Sequence, residues 1–164
     1  MSTHQDNALL ADYVGQAESA QWATFFLNRE MFALRVEDVQ EVLMQQPLTP
    51  VPLAPDHVVG LLNLRGQVMS AVDLRTRLHF PPRPADVATH LLVLRGREGL
   101  VSVLVDEIGD VLTLPTSSWR APPDTLAERH RGFVFGICPI EKHVVLGLRV
   151  AALSGDEDSV RQAA

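Results

Sequence analysis

Short runs of apolar and β-branched residues recur along the chain between turn signals. The runs are TFFL, MFALRV, VVGLLNL, QVMSAVDL, THLLVL, LVSVLV, DVLTL, FVFGIC and HVVLGL. Runs of this length predict short strands and not long helices. The segments 28–30, 65–67 and 95–99 suit tight hairpins, with glycine in the second and third where a positive φ is needed. The pattern therefore predicts an antiparallel, mostly β protein.

Several of the predicted strands are apolar on both faces. LLVL and LVSVLV do not alternate between apolar and polar positions as a strand with one wet face does. Strands of this kind are covered on both sides. We therefore expect curled or stacked sheets and not one flat sheet facing water.

An internal similarity indicates a duplicated unit. VEDVQEVL (36–43) aligns with VDEIGDVL (105–112) at an offset of 69 residues, and Gly60 aligns with Gly136 at an offset of 76. The second alignment places one apolar hairpin over another. A unit of about 60 to 75 residues is near the lower limit for an independent core, so the two units are expected to share a hydrophobic interface. Closing each sheet into a small barrel would also hide its edges.

The unit boundaries follow from this alignment. We predict a first β-barrel over residues 20–85 and a second over 86–153. The ends, 1–19 and 154–164, carry no core pattern and are predicted to be tails, the first flexible and the second acidic. One alternative stays open inside the first tail, since Leu9, Leu10, Tyr13 and Val14 have the spacing of a short amphipathic helix.

Composition narrows the possible partners. The chain has 164 residues, 46% of them hydrophobic, and a formal net charge of −6. It lacks the positive field that holds nucleic acid, and no apolar stretch is long enough to insert into a membrane. The start has no signal-peptide pattern, and the single cysteine, Cys138, agrees with a reducing compartment, where it is predicted to be a buried hydrophobe. We expect a cytoplasmic protein.

Motifs for covalent chemistry are missing from the sequence. No zinc-protease, CxxC, phosphate-loop, serine-nucleophile or dinucleotide motif is present. The six histidines (His4, His57, His79, His90, His130 and His143) fall singly and without ligand spacing. Asp73 and Asp106 each follow a strand, where turn or capping roles are expected. The sequence therefore predicts no enzyme, no metal site and no cofactor.

One charged residue stands out at the tip of an apolar hairpin. Arg65, in NLRG, has no place in a core, so its guanidinium must reach water or a carboxylate. Glu41 on the acidic segment of the same unit is the expected partner, and a solvated turn arginine is the alternative. In the second unit the corresponding positions hold Asp110 and Glu141, two acids that do not form such a pair.

The chain resembles the CheW family of chemotaxis coupling proteins and the equivalent regulatory domain of CheA kinases. The matching segments are FALRVEDVQEVL, TPVPLAP, VVGLLNLRGQVMSAVDLRTRL, GLVSVLVDEIGDVL and GFVFGI. The resemblance implies two packed five-stranded SH3-like β-barrels with short helical connectors. It implies an adaptor that is a monomer when free, binds a histidine kinase regulatory domain and the cytoplasmic tip of chemoreceptors, and is recruited to membrane-associated receptor arrays.

The same resemblance implies a set of partner-binding residues. Glu41 and Arg65 match the acidic and arginine pair of the family, and Val39, Gly60 and Gly66 match positions that shape or adjoin partner surfaces. Two positions depart from the family pattern. Ser70 stands where proline is usual, and Arg149 stands near the end of a final strand that is usually more acidic.

Two other functions stay open at this point. One is an array spacer or inhibitor that binds the kinase but not receptors. The other is a small-ligand-binding or enzymatic β-barrel with its site in the groove between the units, for which the sequence offers few convergent polar groups.

Overall fold

The computed structural model describes residues 10–84, 87 and 89–153, which form ten strands and a few helical turns. The strands are β1 Ser19–Leu27, β2 Glu30–Arg35, β3 Val39–Met44, β4 Val58–Leu64, β5 Gln67–Asp73, β6 His90–Gly96, β7 Gly99–Val105, β8 Glu107–Pro115, β9 Val134–Ile140 and β10 His143–Leu148. Two short helices, α1 Leu74–Arg77 and α2 Val150–Leu153, follow β5 and β10. The mostly β prediction is confirmed.

The strands form two five-stranded sheets with the same internal arrangement. Sheet 1 has the order β8-β1-β2-β10-β9, and sheet 2 has the order β3-β6-β7-β5-β4. Exchanging each of the strands β1–β5 with its counterpart in β6–β10 converts one strand order into the other. The offset of 76 places β4 on β9 residue for residue. The internal duplication predicted from sequence is confirmed by this equivalence.

The two repeats exchange strands. Each repeat contributes two strands to one sheet and three to the other, and the parallel pairs β2–β10 and β5–β7 join strands of different repeats. Parallel neighbours cannot be joined by a tight turn, and here they are distant in the chain. Because both sheets contain strands of both repeats, the repeats are interleaved. The boundary predicted between residues 85 and 86 separates the repeats but not the sheets. Neither 20–85 nor 86–153 contains a complete sheet.

Closure of each sheet is limited to one bridge. Strands β3 and β4 at the edges of sheet 2 do not pair directly, but Thr49, beyond β3, exchanges backbone hydrogen bonds of 2.9 and 2.8 Å with Leu61. Arg120 and Ile137 make the equivalent bridge in sheet 1. The predicted five-stranded count is confirmed, whereas continuous strand pairing around a closed barrel is not observed among the described residues.

Three hydrophobic clusters explain why several strands are apolar on both faces. The first lies between the sheets, the second lies within sheet 1 around Trp22, and the third lies within sheet 2. In β6, Leu92 and Leu94 belong to the shared cluster while Leu91 and Val93 belong to the cluster inside sheet 2. Alternate side chains of one strand therefore fill different cores, which explains why both of its faces are apolar. The cluster between the sheets contains residues of both repeats, so the expected shared interface is confirmed.

Part of the predicted N-terminal tail packs on the fold. Residues 10–14 are helical, Val14 is buried, and the Tyr13 ring stacks on Phe135 at 4.9 Å. Arg35 Nη1 donates a hydrogen bond of 2.8 Å to the Val14 carbonyl oxygen. The short-helix alternative is confirmed for Leu10, Tyr13 and Val14, which pack on sheet 1, whereas its fourth residue, Leu9, lies outside the described residues. Residues 1–9 and the predicted acidic tail 154–164 lie outside the described residues.

Candidate interaction surface

Glu41 and Arg65 form a bidentate ion pair at the surface of sheet 2. Arg65 Nη1 donates to Glu41 Oε2 at 2.9 Å, and Nη2 donates to Oε1 at 2.5 Å. The Glu41 side chain is 22% exposed and that of Arg65 is 71% exposed. The contact predicted from sequence is confirmed. Because two parallel N–H···O bonds fix the relative orientation of the groups, the guanidinium is held with most of its surface open to a partner.

A bulge in β3 positions Glu41. Val39 pairs with Leu94 of β6 and Glu41 pairs with Val93, so Gln40 is the extra residue. Burial then alternates along β3, with Glu41 and Leu43 partly covered and Val42 exposed. Bulges commonly redirect side chains at the edges of sheets. The acidic segment 36–43 is therefore a 3-10 turn followed by an edge strand.

The segment NLRG builds the turn that presents Arg65. Arg65 and Gly66 both have positive φ, 54° and 84°, as a mirror-image two-residue hairpin turn requires. The Asn63 side-chain oxygen accepts a hydrogen bond of 3.1 Å from the Gly66 N–H. Leu64 is partly buried against the cluster inside sheet 2. Asn63 and Gly66 thus stabilise the turn, Leu64 packs against the core, and Arg65 projects its charge from the turn.

The ion pair stabilises both charged forms. Hydrogen bonding from Arg65 is the largest influence on Glu41 and holds the pKa of that carboxyl below its ordinary value. The same hydrogen bonding raises the pKa of Arg65. Both groups therefore stay ionised at neutral pH.

The three other predicted site residues occupy different environments. Val39 is half-buried and packs against the cluster between the sheets. Gly60 is buried, and a Cβ there would lie 2.7 Å from the Thr49 carbonyl oxygen, so the absence of a side chain permits the bridge that joins the two edges. Gly66 lies beside Arg65 in open space. Only Gly66 shares the exposed turn with the ion pair.

The second repeat lacks this pair. Asp110 lies on β8 and Glu141 lies in the β9–β10 turn, so the matching positions are both acidic, as the alignment predicted. Pro139 takes the place of Asn63 and offers no side-chain acceptor for the turn. The two turns have equivalent places in the sheets but different chemistry.

Exposed apolar side chains accompany both turns. The large exposed hydrophobic residues of the described chain are Val42, Met44, Val51, Leu53, Val59, Val68, Val87, Val111 and Val144. Val42 corresponds to Val111 at the offset of 69, and Val68 corresponds to Val144 at the offset of 76. The first repeat carries most of these residues, and each sheet exposes an equivalent pair of valines. Exposed apolar groups of this kind are typical of interaction surfaces when they cluster.

A second ion network joins the repeats, and sequence reasoning missed it. Asp106, between β7 and β8, accepts hydrogen bonds from Arg75 Nη2 at 2.6 Å and Arg83 Nε at 2.9 Å. It also accepts one of 2.8 Å from the Asn28 backbone N–H in the β1–β2 turn. The capping role expected for Asp73 is confirmed, since its side chain accepts from the Arg75 backbone N–H. Asp106 lies between two strands, as expected, but the sequence did not predict its ion pairs with Arg75 and Arg83.

Burial and hydrogen bonding oppose each other at Asp106. Burial alone would raise the pKa of this carboxyl, but the hydrogen bonds from Arg75, Asn28 and Arg83 outweigh it and lower the pKa. The side chains of the Arg75–Asp106 pair are 10% and 12% exposed. This network is thus an internal tie between elements and not part of the exposed surface.

The described residues contain no group of three or more histidine, cysteine or acidic side chains placed to hold a metal ion. Cys138 is buried in the cluster inside sheet 1, as predicted, and burial raises the pKa of its thiol. Among the residues described, no helix is long and apolar enough to cross a membrane.

Comparisons with known proteins point to one family. The family model for the CheW-like domain matches residues 21–158. The chemotaxis protein CheW of Rhizobium meliloti is 32% identical over 127 residues, which cover 72% of this chain and 82% of that protein. The chemotaxis protein CheW of Klebsiella aerogenes is 23% identical over 151 residues, or 92% of this chain and 91% of that protein.

A solved structure has the same fold. The crystal structure of the scaffolding protein TtCheW from Thermoanaerobacter tengcongensis matches with a TM-score of 0.75 at 23% identity. The match covers 82% of this chain and 91% of that one. The arrangement of two five-stranded sheets is therefore shared with a scaffolding protein.

Proposed function

The chain belongs to the CheW-like domain family and is a chemotaxis adaptor, and we propose that it couples the cytoplasmic tip of chemoreceptors to the regulatory domain of a CheA-type histidine kinase. In this proposal it acts in the cytoplasm, is recruited to membrane-associated arrays, and works by contact without catalysing a reaction. The observation that carries the proposal is the exposed, bidentate Glu41–Arg65 pair on sheet 2.

The chemistry of the pair suits a protein partner. A partly exposed arginine that is already held by a carboxylate loses little conformational freedom when a partner binds. Arginine and apolar anchors commonly dominate the energy of interfaces. Val42 and Val68 are exposed on the strands that carry Glu41 and flank the Arg65 turn, which supplies the apolar component.

The difference in surface charge between the two sheets supports the binding of two different partners. Sheet 1 exposes Val111 and Val144 at the positions equivalent to Val42 and Val68, but acids replace the ion pair. An adaptor needs two faces that do not compete for the same ligand. We assign the receptor to the face with the ion pair and the kinase to a separate face.

We also infer that each sheet with its bridge is one SH3-like barrel of the family architecture. The support is that the edge strands of both sheets are joined at equivalent places, Thr49 to Leu61 and Arg120 to Ile137. Under this proposal Gly60 is needed because a side chain there would collide with the bridge.

Separate alanine substitutions test the coupling proposal. Arg65→Ala and Glu41→Ala are each expected to weaken binding to a soluble receptor-tip fragment about tenfold or more, while kinase binding changes less than about twofold. Arg97→Ala serves as the matched control because Arg97 is an exposed arginine between β6 and β7. Titration calorimetry against each purified partner measures both affinities.

A charge exchange separates orientation from charge. The double variant with Glu41→Arg and Arg65→Glu keeps an ion pair but inverts it, so it is expected to fold normally and still lose receptor binding. Equal loss on both partners, or loss of the kinase alone, would overturn the assignment. Loss of the kinase alone would favour a kinase-binding spacer or inhibitor.

A further inference from the structure

A cavity of about 560 Å³ lies on sheet 1, away from the Glu41–Arg65 pair. It is bordered by the β1–β2 turn, the β9–β10 turn and the loop 121–133 that precedes β9, and it is open to solvent on one side. Its volume is within the range of about 300 to 1,000 Å³ typical of small-molecule sites. Its lining does not include Glu41, Arg65, Val42 or Val68, which form the proposed receptor face.

The loop that borders the cavity is longer than its counterpart in the first repeat. Thirteen residues, 121–133, separate the bridge residue Arg120 from β9, whereas eight residues, 50–57, separate Thr49 from β4. The five additional residues therefore supply a wall that sheet 2 does not have. Arg131 Nη2 donates a hydrogen bond of 3.0 Å to the Asp124 carbonyl oxygen, which ties the two ends of this wall together.

The interior surface of the cavity is largely apolar. The apolar side chains that line it are Phe26, Met31, Pro123, Leu126, Ala127, Ile137, Val144 and Leu146. They come from four strands of sheet 1, β1, β2, β9 and β10, and from the loop. Such a surface favours an aliphatic or aromatic body over a fully hydrated ion.

The charged residues around the cavity are mostly basic. Arg29, Lys142 and His143 line it and are exposed, while Glu30 is the single acidic residue among its lining residues. The Glu30 carboxylate lies 3.5 Å from Nε2 of the buried His130, so it faces the histidine. An anionic group at the opening is therefore favoured, although the protein as a whole carries a net negative charge.

We propose that this cavity binds a small organic anion with an apolar body, such as an aliphatic or aromatic carboxylate. The apolar part occupies the space under the 121–133 loop, and the carboxylate lies beside Arg29 and Lys142. This site goes beyond the coupling function and gives sheet 1, to which both repeats contribute strands, a ligand of its own.

Binding of three matched eight-carbon probes tests the charge preference. Octanoate, octanol and octylammonium share a chain length and differ in the head group. Octanoate is expected to bind more tightly than octanol, and octylammonium is expected to bind more weakly than both. Titration with amide chemical-shift mapping measures each affinity and locates the shifts, which are expected at residues 125–127 and 142–146.

Variants of the basic residues test the location. Arg29→Gln with Lys142→Gln is expected to weaken octanoate binding about tenfold and to leave octanol binding unchanged within about twofold. Arg97→Gln, on the equivalent turn of sheet 2, is the matched control and is expected to have no effect. Equal affinity for all three probes, shifts elsewhere, or no change in the double variant would overturn the proposal. Arg65→Ala should leave octanoate binding intact, so a failure of the coupling proposal is distinguishable from a failure here.

Discussion

Arg65 and Arg75 both bind a carboxylate, but their exposure differs. The Arg65 side chain is 71% exposed in its pair with Glu41, whereas the Arg75 side chain is 10% exposed in its pair with Asp106. Water and salt screen the first pair, so its value lies in orientation. The second pair is screened much less, and losing one partner would leave a charge uncompensated.

Asp106→Asn is therefore expected to destabilise the fold. The substitution leaves Arg75 and Arg83 without their shared carboxylate, and we expect the free energy of unfolding at neutral pH to fall by about 2 to 3 kcal/mol. Urea denaturation followed by circular dichroism measures the change. Asp56→Asn, which alters an exposed acid, is the control and is expected to change stability by less than about 0.5 kcal/mol.

The same substitution should change the response to acid. The folded-state pKa of Asp106 lies below the ordinary value of 3.8, so its contribution is fully present above pH 3.8 and is lost as pH falls through the lower folded-state pKa. The variant is expected to lose less stability than the native chain over that interval. Parallel acid-dependence curves for the two proteins would contradict the assigned role of Asp106.

At the scale of elements, the helical segment 10–14 covers part of sheet 1. Val14 packs in the cluster around Trp22, and Tyr13 stacks on Phe135. Arg149, one of the two departures from the family pattern, donates a hydrogen bond of 3.2 Å from Nε to the Tyr13 hydroxyl oxygen. The unusual arginine after the final strand thus has a partner in this helical segment.

Val14→Asp tests this packing. The carboxylate would replace an apolar side chain that packs in the cluster around Trp22, so we expect a loss of about 2 to 3 kcal/mol in unfolding free energy. Ala11→Asp places the same charge on the exposed face of the same helical turn and is expected to be nearly neutral. Thermal unfolding of both variants provides the comparison, and similar losses from both would show that the segment does not pack as described.

At the scale of the whole molecule, interleaving makes the two sheets dependent on each other. Strands β6 and β7 lie in the middle of sheet 2, between strands of the other repeat, and β1 and β2 do the same in sheet 1. The cluster between the sheets contains residues of both repeats, including Phe32 and Val103. Removing one repeat would therefore disrupt both sheets and expose the shared core.

Fragments 10–85 and 86–153 are expected not to fold as separate monomers. Each lacks strands from both sheets, so circular dichroism of either fragment alone should show no cooperative unfolding transition. Mixing them should restore the β signal as a one-to-one complex because the repeats are complementary. A monomeric fragment that unfolds cooperatively would contradict the interleaved arrangement.

The sequence by itself determined the strand content and the duplication, and it identified Glu41 as the expected partner of Arg65. Strand patterns are local, the repeat is a comparison within the chain, and the pair joins an isolated arginine to an acid of the same repeat. The tertiary structure alone decided how the repeats combine, because the same hydrophobic pattern is satisfied whether strands pair within a repeat or between repeats. It also decided the role of Asp106, whose partners Arg75 and Arg83 are distant in sequence and meet it only after that exchange. The cavity under loop 121–133 depends on the same step, since its wall and its basic residues belong to segments that only the assembled sheet brings together.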